Sequence, residues 1–219
     1  MCGRFTITLE PADFEAELDI ADFPGDFEPR YNVAPTQPVL VVRDLETRNS
    51  EWMKWGLIPF WAKDPTIGAR MINARSETLA EKPSFKQSFF HRRCLILADG
   101  FFEWQKKPGE ASVPFYIRLK SGKPFAFAGL WDRWMAPDGK EVFSCTIITC
   151  RPNELIAPIH DRMPVMLDKE RAWKWLQPAT RPELENQLQP FPAEAMEAYP
   201  ISKAVNNIRL DTPELLRRV

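Results

Sequence analysis

Position 2 of the chain is a cysteine. A small residue there permits removal of Met1, which would leave Cys2 as the amino terminus with an α-amine and a thiol on neighbouring carbons. The reference pKa of an α-amine is about 7.7–8.0, so an appreciable fraction is unprotonated at neutral pH. A lysine amine reaches that state only after a large depression of its pKa. Such an amine condenses with an aldehyde to an imine, and the adjacent thiol can close onto the imine carbon to form a thiazolidine. An N-terminal cysteine is thus suited to trapping an aldehyde covalently. The alternative is a cysteine that stands in second position without chemical consequence.

Four other places could contribute. His160 lies in Ala157-Pro158-Ile159-His160-Asp161-Arg162-Met163-Pro164, a loop constrained by a proline on each side. It could act as a general acid or base near neutral pH, or simply hydrogen-bond Asp161 or the backbone. Glu103 is flanked by aromatics in Asp99-Gly100-Phe101-Phe102-Glu103-Trp104. On a strand it faces either solvent or core, and burial would raise its pKa toward a value useful for proton transfer. In Met71-Ile72-Asn73-Ala74-Arg75-Ser76-Glu77-Thr78, Asn73 could form a turn and Ser76 cap a helix, with Glu77 or Thr78 in its first turn. The functional reading has Asn73 orienting a substrate and Arg75 meeting a phosphate. Finally, the run from Trp55 to Asp64 puts apolar groups into a loop. Most such aromatics are core, but Phe60 and Trp61 beside Pro59 could make a stacking surface or a wedge for bases.

The elements that must carry these residues are mostly short strands. Phe5 to Leu9 alternates, as a half-buried strand does. Pro38 to Arg43 and Glu51 to Gly56 read as a strand pair. The apolar run Arg93 to Ala98 reads as a central strand. Phe101 to Gln105, Pro114 to Leu119, Phe125 to Trp131 and Phe143 to Thr149 continue the strand pattern. Helices are expected at Pro11 to Leu18, with proline in the first turn, and at Lys169 to Leu176, Pro182 to Leu188 and Pro213 to Arg218. Residues 19–36 read as loop. Strands without strict βα alternation, with helices around them, point to an α+β fold with a mainly antiparallel sheet. One domain is expected over residues 1–219.

Composition narrows the function. The 219 residues carry 29 Lys and Arg against 30 Asp and Glu, a net charge of −1. A protein that coats duplex phosphate is normally strongly basic, so any contact with nucleic acid must be a local patch. No apolar run is long enough to span a membrane, and the N-terminus lacks the apolar segment of a signal peptide. Cys94, Cys145 and Cys150 sit in apolar runs and read as small hydrophobes of a reducing cytoplasm. With only His91 and His160 and no paired-cysteine motif, a zinc site is not expected. No phosphate-binding glycine motif for a nucleotide is present. No cofactor is expected.

Taken together, the motifs resemble a known family. Met1-Cys2-Gly3-Arg4-Phe5, Arg30-Tyr31-Asn32-Val33-Ala34-Pro35, Trp55-Gly56-Leu57-Ile58-Pro59, Ile72 to Thr78, Ala98 to Trp104 and Ile159 to Pro164 look like the signature blocks of the SRAP family. These are the SOS-response-associated peptidases, regarded as abasic-site DNA–protein cross-linkers. The blocks run in family order along nearly the whole chain. The resemblance implies an α+β domain whose central sheet is β-barrel-like and flanked by short helices, with a positive groove for single-stranded DNA. It implies loss of Met1, attack of Cys2 on the ring-opened aldehyde of an abasic deoxyribose, and a shielding thiazolidine. Glu103 and His160 would then manage protons and Asn73 orient the sugar. Arg4, Arg75 and Arg162 would contact phosphates and the lesion pocket. Pro35 and the Phe60–Trp61 pair would meet splayed bases, and Thr149 would stand on the DNA side. The expected partner is single-stranded DNA with abasic sites, bound by a cytoplasmic monomer. Two other readings stay open: a peptidase with Cys2 as N-terminal nucleophile, acting on peptides or on its own Met1 alone, and a non-catalytic single-strand-binding module.

Overall fold

A computed structural model describes residues 2–106 and 108–219. The expected excision of Met1 lies outside these residues. Thirteen strands and four α-helices are found among them. In chain order the strands are β1 (Phe5–Ile7), β2 (Arg30–Val33), β3 (Pro38–Val42), β4 (Ser50–Trp55), β5 (Asn73–Arg75), β6 (Arg93–Ala98) and β7 (Gly100–Gln105). They continue with β8 (Val113–Leu119), β9 (Phe125–Met135), β10 (Glu141–Cys150), β11 (Met163–Pro164), β12 (Met166–Leu167) and β13 (Met196–Pro200). The helices are α1 (Pro11–Leu18), α2 (Lys86–His91), α3 (Lys169–Leu176) and α4 (Arg181–Gln187).

Strands β4, β3, β6, β9 and β10 pair in that order, and β10 returns to lie beside β4. The ring is therefore a closed five-strand barrel, which leaves no free edge inside it. All its pairings are antiparallel except β10–β4, where Ser144 faces Lys54 and Cys145 faces Trp55. A second sheet, in the order β13-β8-β7-β1-β2, packs against the barrel. The fold is α+β with a mainly antiparallel, barrel-like centre and short flanking helices, as the motifs implied. No helix among the described residues is long and apolar enough to cross a membrane.

The two sheets share one core. Phe5, on β1, meets Trp55 at 5.1 Å and Phe127 at 5.7 Å between ring centroids, both edge-on. Fully burying one such ring contributes about 1.5–3 kcal/mol, so β1 is pulled firmly onto the barrel. A carboxylate completes the attachment. Buried Asp99, between β6 and β7, accepts from the Thr6 hydroxyl, the Thr8 amide and hydroxyl, and the Leu9 amide. These bonds also explain why β1 stops at Ile7 rather than running to Leu9. The Thr8 and Leu9 amides go to a side chain, not to a neighbouring strand.

Several expectations are corrected. Arg30–Val33 is a strand, not loop, because it pairs with β1 from Phe5↔Val33 to Ile7↔Arg30. Asn73–Arg75 is likewise a strand, held parallel to β10. Asn73 is therefore not a turn residue, and Ser76 caps nothing: Ser76–Thr78 is a single 3₁₀ turn with Arg75 at its cap position and no capping side chain. The last helix shortens to a 3₁₀ turn at Pro213–Leu216. Helix α2 and strand β13 were not anticipated. The four cysteines are free and buried.

Candidate active site

Strand β1 and the antiparallel β7 carry the first two groups. Phe5 pairs with Phe101, and one step outward the Phe102 amide donates to the Arg4 carbonyl at 2.9 Å. Extending that register sets Gly3 across from Glu103, so Cys2 is delivered beside the carboxylate. Residues two apart on a strand share a face, and Glu103 follows the core residue Phe101 inward. It is only 2% exposed. Burial raises its pKa to about 7, and the nearby Asp161 carboxylate adds to the shift.

Cys2 is completely buried. Its carbonyl accepts a hydrogen bond from Asn73 Nδ2 at 2.7 Å, and its thiol points to the Arg4 carbonyl at 3.8 Å. Burial, and secondarily the Glu103 carboxylate, push the thiol well above its ordinary pKa. Asn73 reaches this position because β5 lies parallel to β10, with Asn73 opposite Ile147.

His160 comes from the loop between β10 and β11. The loop is pinned to β7 by Gln105, whose Nε2 donates to the Pro158 carbonyl at 2.9 Å. The His160 Nδ1 accepts from the Arg162 amide at 3.0 Å and lies 2.9 Å from Asp161 Oδ1. The hydrogen bonding anticipated for a loop histidine is thus present. Burial lowers its pKa, partly opposed by Asp161. A cleft of about 650 Å³ is lined by Arg75, Glu103, Trp104, His160, Asp161 and Arg162, among others.

The remaining predicted residues fall into three groups. Arg75, at the end of β5, is exposed at the cleft wall. Arg4 and Arg162 line or border the cleft but are tied inward. Arg4 Nη1 donates to Asn32 Oδ1 at 2.7 Å and to the Val205 carbonyl at 2.9 Å, its guanidinium 6.0 Å from the Trp104 ring centre. Arg162 is paired with Glu77. Thr149 is fully buried, its hydroxyl donating to the Ala74 carbonyl at 3.4 Å.

Phe60 and Trp61 are 50% and 47% exposed, on a loop separate from the cleft-lining residues. The loop is built to hold them out. Gly56 has φ +130°, and a Cβ there would meet the Gly68 carbonyl at 2.6 Å, so the two loop ends can touch only as glycines. The Phe60 amide donates to Asp132 Oδ2 at 2.9 Å. Half-buried Pro35 sits in the turn whose Thr36 amide donates to the Trp55 carbonyl at 2.9 Å, at the root of the same loop.

Sequence reasoning gave no role in the site to Asn32, Glu77 or Asp99, and read Glu77 only as a first-turn residue of a helix. Each lies inside a motif block, and an acidic or amide side chain beside a buried strand was the available signal. Among the described residues no three His, Cys, Asp or Glu side chains converge as a metal site.

The family profile described as SOS response associated peptidase (SRAP) matches residues 1–208. A protein of Bacillus subtilis strain 168 named abasic site processing protein YoqW is 47% identical over 221 residues, covering 99% of each chain. Abasic site processing protein YedK of Escherichia coli K12 is 34% identical over 228 residues, covering both chains fully. An X-ray structure of a protein from Bacteroides thetaiotaomicron superposes with a TM-score of 0.80 at 32% identity, over 87% of this chain and 85% of that one. With the profile covering nearly the whole chain, this protein belongs to the SRAP family.

Proposed function

We propose that the protein binds single-stranded DNA at abasic sites and cross-links to them through Cys2 once Met1 is gone. It does so as a cytoplasmic monomer without a cofactor. The observation that carries this reading is the convergence beneath one cleft of Cys2, its Asn73 hydrogen bond, and a buried Glu103 with a pKa of about 7. The names of the relatives supply the lesion.

The chemistry runs in balanced steps. An abasic deoxyribose is mostly a cyclic hemiacetal. Opening it moves the O1′ proton to a base and delivers a proton to O4′, leaving an aldehyde at C1′. Glu103 is half-ionised near neutrality, so it can take the first proton as a carboxylate and return it to O4′ as the acid, while the His160 N–H offers a hydrogen bond to the oxygen that gains negative charge. The Cys2 amine adds to C1′, water leaves, and an imine forms. The thiol sulfur then adds to the same carbon while its proton passes to the imine nitrogen. The products are a thiazolidine and one water. Ring closure also removes the imine that would otherwise promote β-elimination of the 3′ phosphate, so strand breakage is suppressed. Asn73 fixes the Cys2 carbonyl, and with it the direction in which amine and thiol face.

DNA contacts follow from the same placement. Arg75 offers an exposed cation at the cleft wall, and Phe60 and Trp61 offer stacking faces. A net charge of −1 is compatible with such a local patch. The peptidase reading asks for a Cys2 thiolate, and burial with Glu103 at its side opposes one.

The test is incubation of Met1-free protein with an oligonucleotide carrying one abasic site, read on a denaturing gel. A heat-stable shifted band is expected, and Cys2→Ala should abolish it while retaining non-covalent binding. Processed protein that stays unattached, or an unchanged yield with Cys2→Ala, refutes the reading.

A further inference from the structure

Glu77 takes no part in the chemistry above. Its carboxylate nevertheless grips Arg162 with both oxygens: Nη1 donates to Oε1 at 2.6 Å and Nη2 to Oε2 at 2.9 Å. Nη2 also donates to the Thr149 carbonyl at 2.6 Å. The Arg162 side chain is 13% exposed, against 54% for Glu77. A nearly buried guanidinium gripped by both oxygens of a carboxylate is held in one geometry. What this pair fixes is the backbone of Arg162.

That backbone matters to His160. The Arg162 N–H donates to His160 Nδ1 at 3.0 Å. A neutral imidazole whose Nδ1 accepts carries its proton on Nε2. Asp161 Oδ1 stands 2.9 Å from the same Nδ1. Being an acceptor, it can bond there only when Nδ1 bears a proton. Two partners of opposite kind therefore compete for one nitrogen, and the position of the Arg162 backbone decides between them. Glu77 follows directly after β5, the strand that holds Cys2 through Asn73, and Thr149 pairs with Arg75 across β5 and β10. The ion pair thus fastens the His160 loop to the strand behind Cys2.

We propose that Glu77 is a positioning residue: through its ion pair with Arg162 it sets His160 in the Nε2–H tautomer, so that the neutral imidazole presents an N–H hydrogen-bond donor to the cleft. The catalytic consequence rests on the cross-linking function proposed above. The tautomer does not, and it can be read alone.

The test uses Met1-free, full-length, ¹⁵N-labelled protein at pH 7.5 and long-range imidazole ¹H–¹⁵N correlation spectra. The chain has two histidines, so a His91→Gln background isolates His160. Wild type should show a protonated Nε2 and a bare Nδ1. Glu77→Gln keeps the size but replaces one acceptor oxygen with a donor, and should give shifts averaged between tautomers. Adduct formation should slow roughly tenfold, a part of the about 10²-fold or more that one preorganised hydrogen-bond donor supplies. Affinity for an undamaged single-stranded oligonucleotide should not fall. Glu77→Asp, which retains the carboxylate, should recover part of both the spectrum and the rate. A wild-type Nδ1–H pattern, or a Glu77→Gln spectrum identical to wild type, overturns the proposal. So does a shifted tautomer with an unchanged adduct rate. If wild type forms no adduct at all, the cross-linking function fails, and the spectra still decide the role of Glu77.

Discussion

Glu103 should make the protein less stable as the pH rises, and its replacement should reveal by how much. In the folded chain burial moves this carboxyl from 4.5 to about 7. Unfolded, it titrates near its ordinary value. Between those two pH values the folded state holds more protons than the unfolded one, so stability falls with increasing pH. A shift of that size, at about 1.36 kcal/mol per unit, amounts to about 3 kcal/mol lost once both states are ionised. At pH 8 nearly all of this penalty is present, while at pH 5 the same linkage leaves below about 1 kcal/mol. Glu103→Gln removes the titrating group, so the variant should be more stable than wild type by about 3 kcal/mol at pH 8 and nearly equal to it at pH 5. Urea unfolding of both proteins across this range, analysed at constant m-value, measures the difference directly. The same variant should lose most adduct formation. A stability difference that does not change with pH, or one that grows toward acid, would refute the placement of an ionisable carboxylate in the core.

Two further outcomes follow from other parts of the fold. Phe60→Ala and Trp61→Ala should each weaken single-stranded DNA binding by about 1–3 kcal/mol, the worth of one base stacked on an aromatic ring, and leave the melting temperature within a degree or two. Fluorescence anisotropy with an undamaged oligonucleotide reads the first and calorimetry the second, and a large fall in melting temperature would mean that the rings are core. Asp99→Asn should destabilise by at least about 2 kcal/mol, since hydrogen bonds to a buried charge contribute about 1.5–3 kcal/mol each. It should also slow adduct formation at temperatures well below unfolding, because the β1 anchor that aims Cys2 is loosened. Denaturant titration together with gel-based kinetics tests both.

Much of this was legible in the residues. Strong local patterns, such as the apolar run Arg93 to Ala98 or the helix Lys169 to Leu176, form where periodicity places them. The same holds for the strand pair β3–β4. Elements made by their neighbours were not legible. Asn73–Arg75 is a strand only because β10 runs beside it, and Arg30–Val33 only because β1 does. Among the candidate functional residues, Cys2, Glu103, His160 and Asn73 were chemically possible one by one and were drawn together only by the family resemblance, whereas nothing in the sequence tells whether Glu103 faces inward. The full burial of Thr149 is likewise set by tertiary packing and not by its type. Glu77 and Asp99 act by holding other groups in place, a role that depends on partners far away in sequence and leaves little trace in spacing.

The barrel closes by joining β10 to β4, segments about ninety residues apart in the numbering, and residues 2, 73, 103 and 160 meet only through such distant pairings. Topologies dominated by long-range contacts fold slowly, on the order of milliseconds to seconds. A nascent chain therefore exposes its first residues long before their companions exist. Until synthesis passes the tenth strand there is a thiol but no pocket around it, and chemical competence arrives late, with completion of the whole architecture.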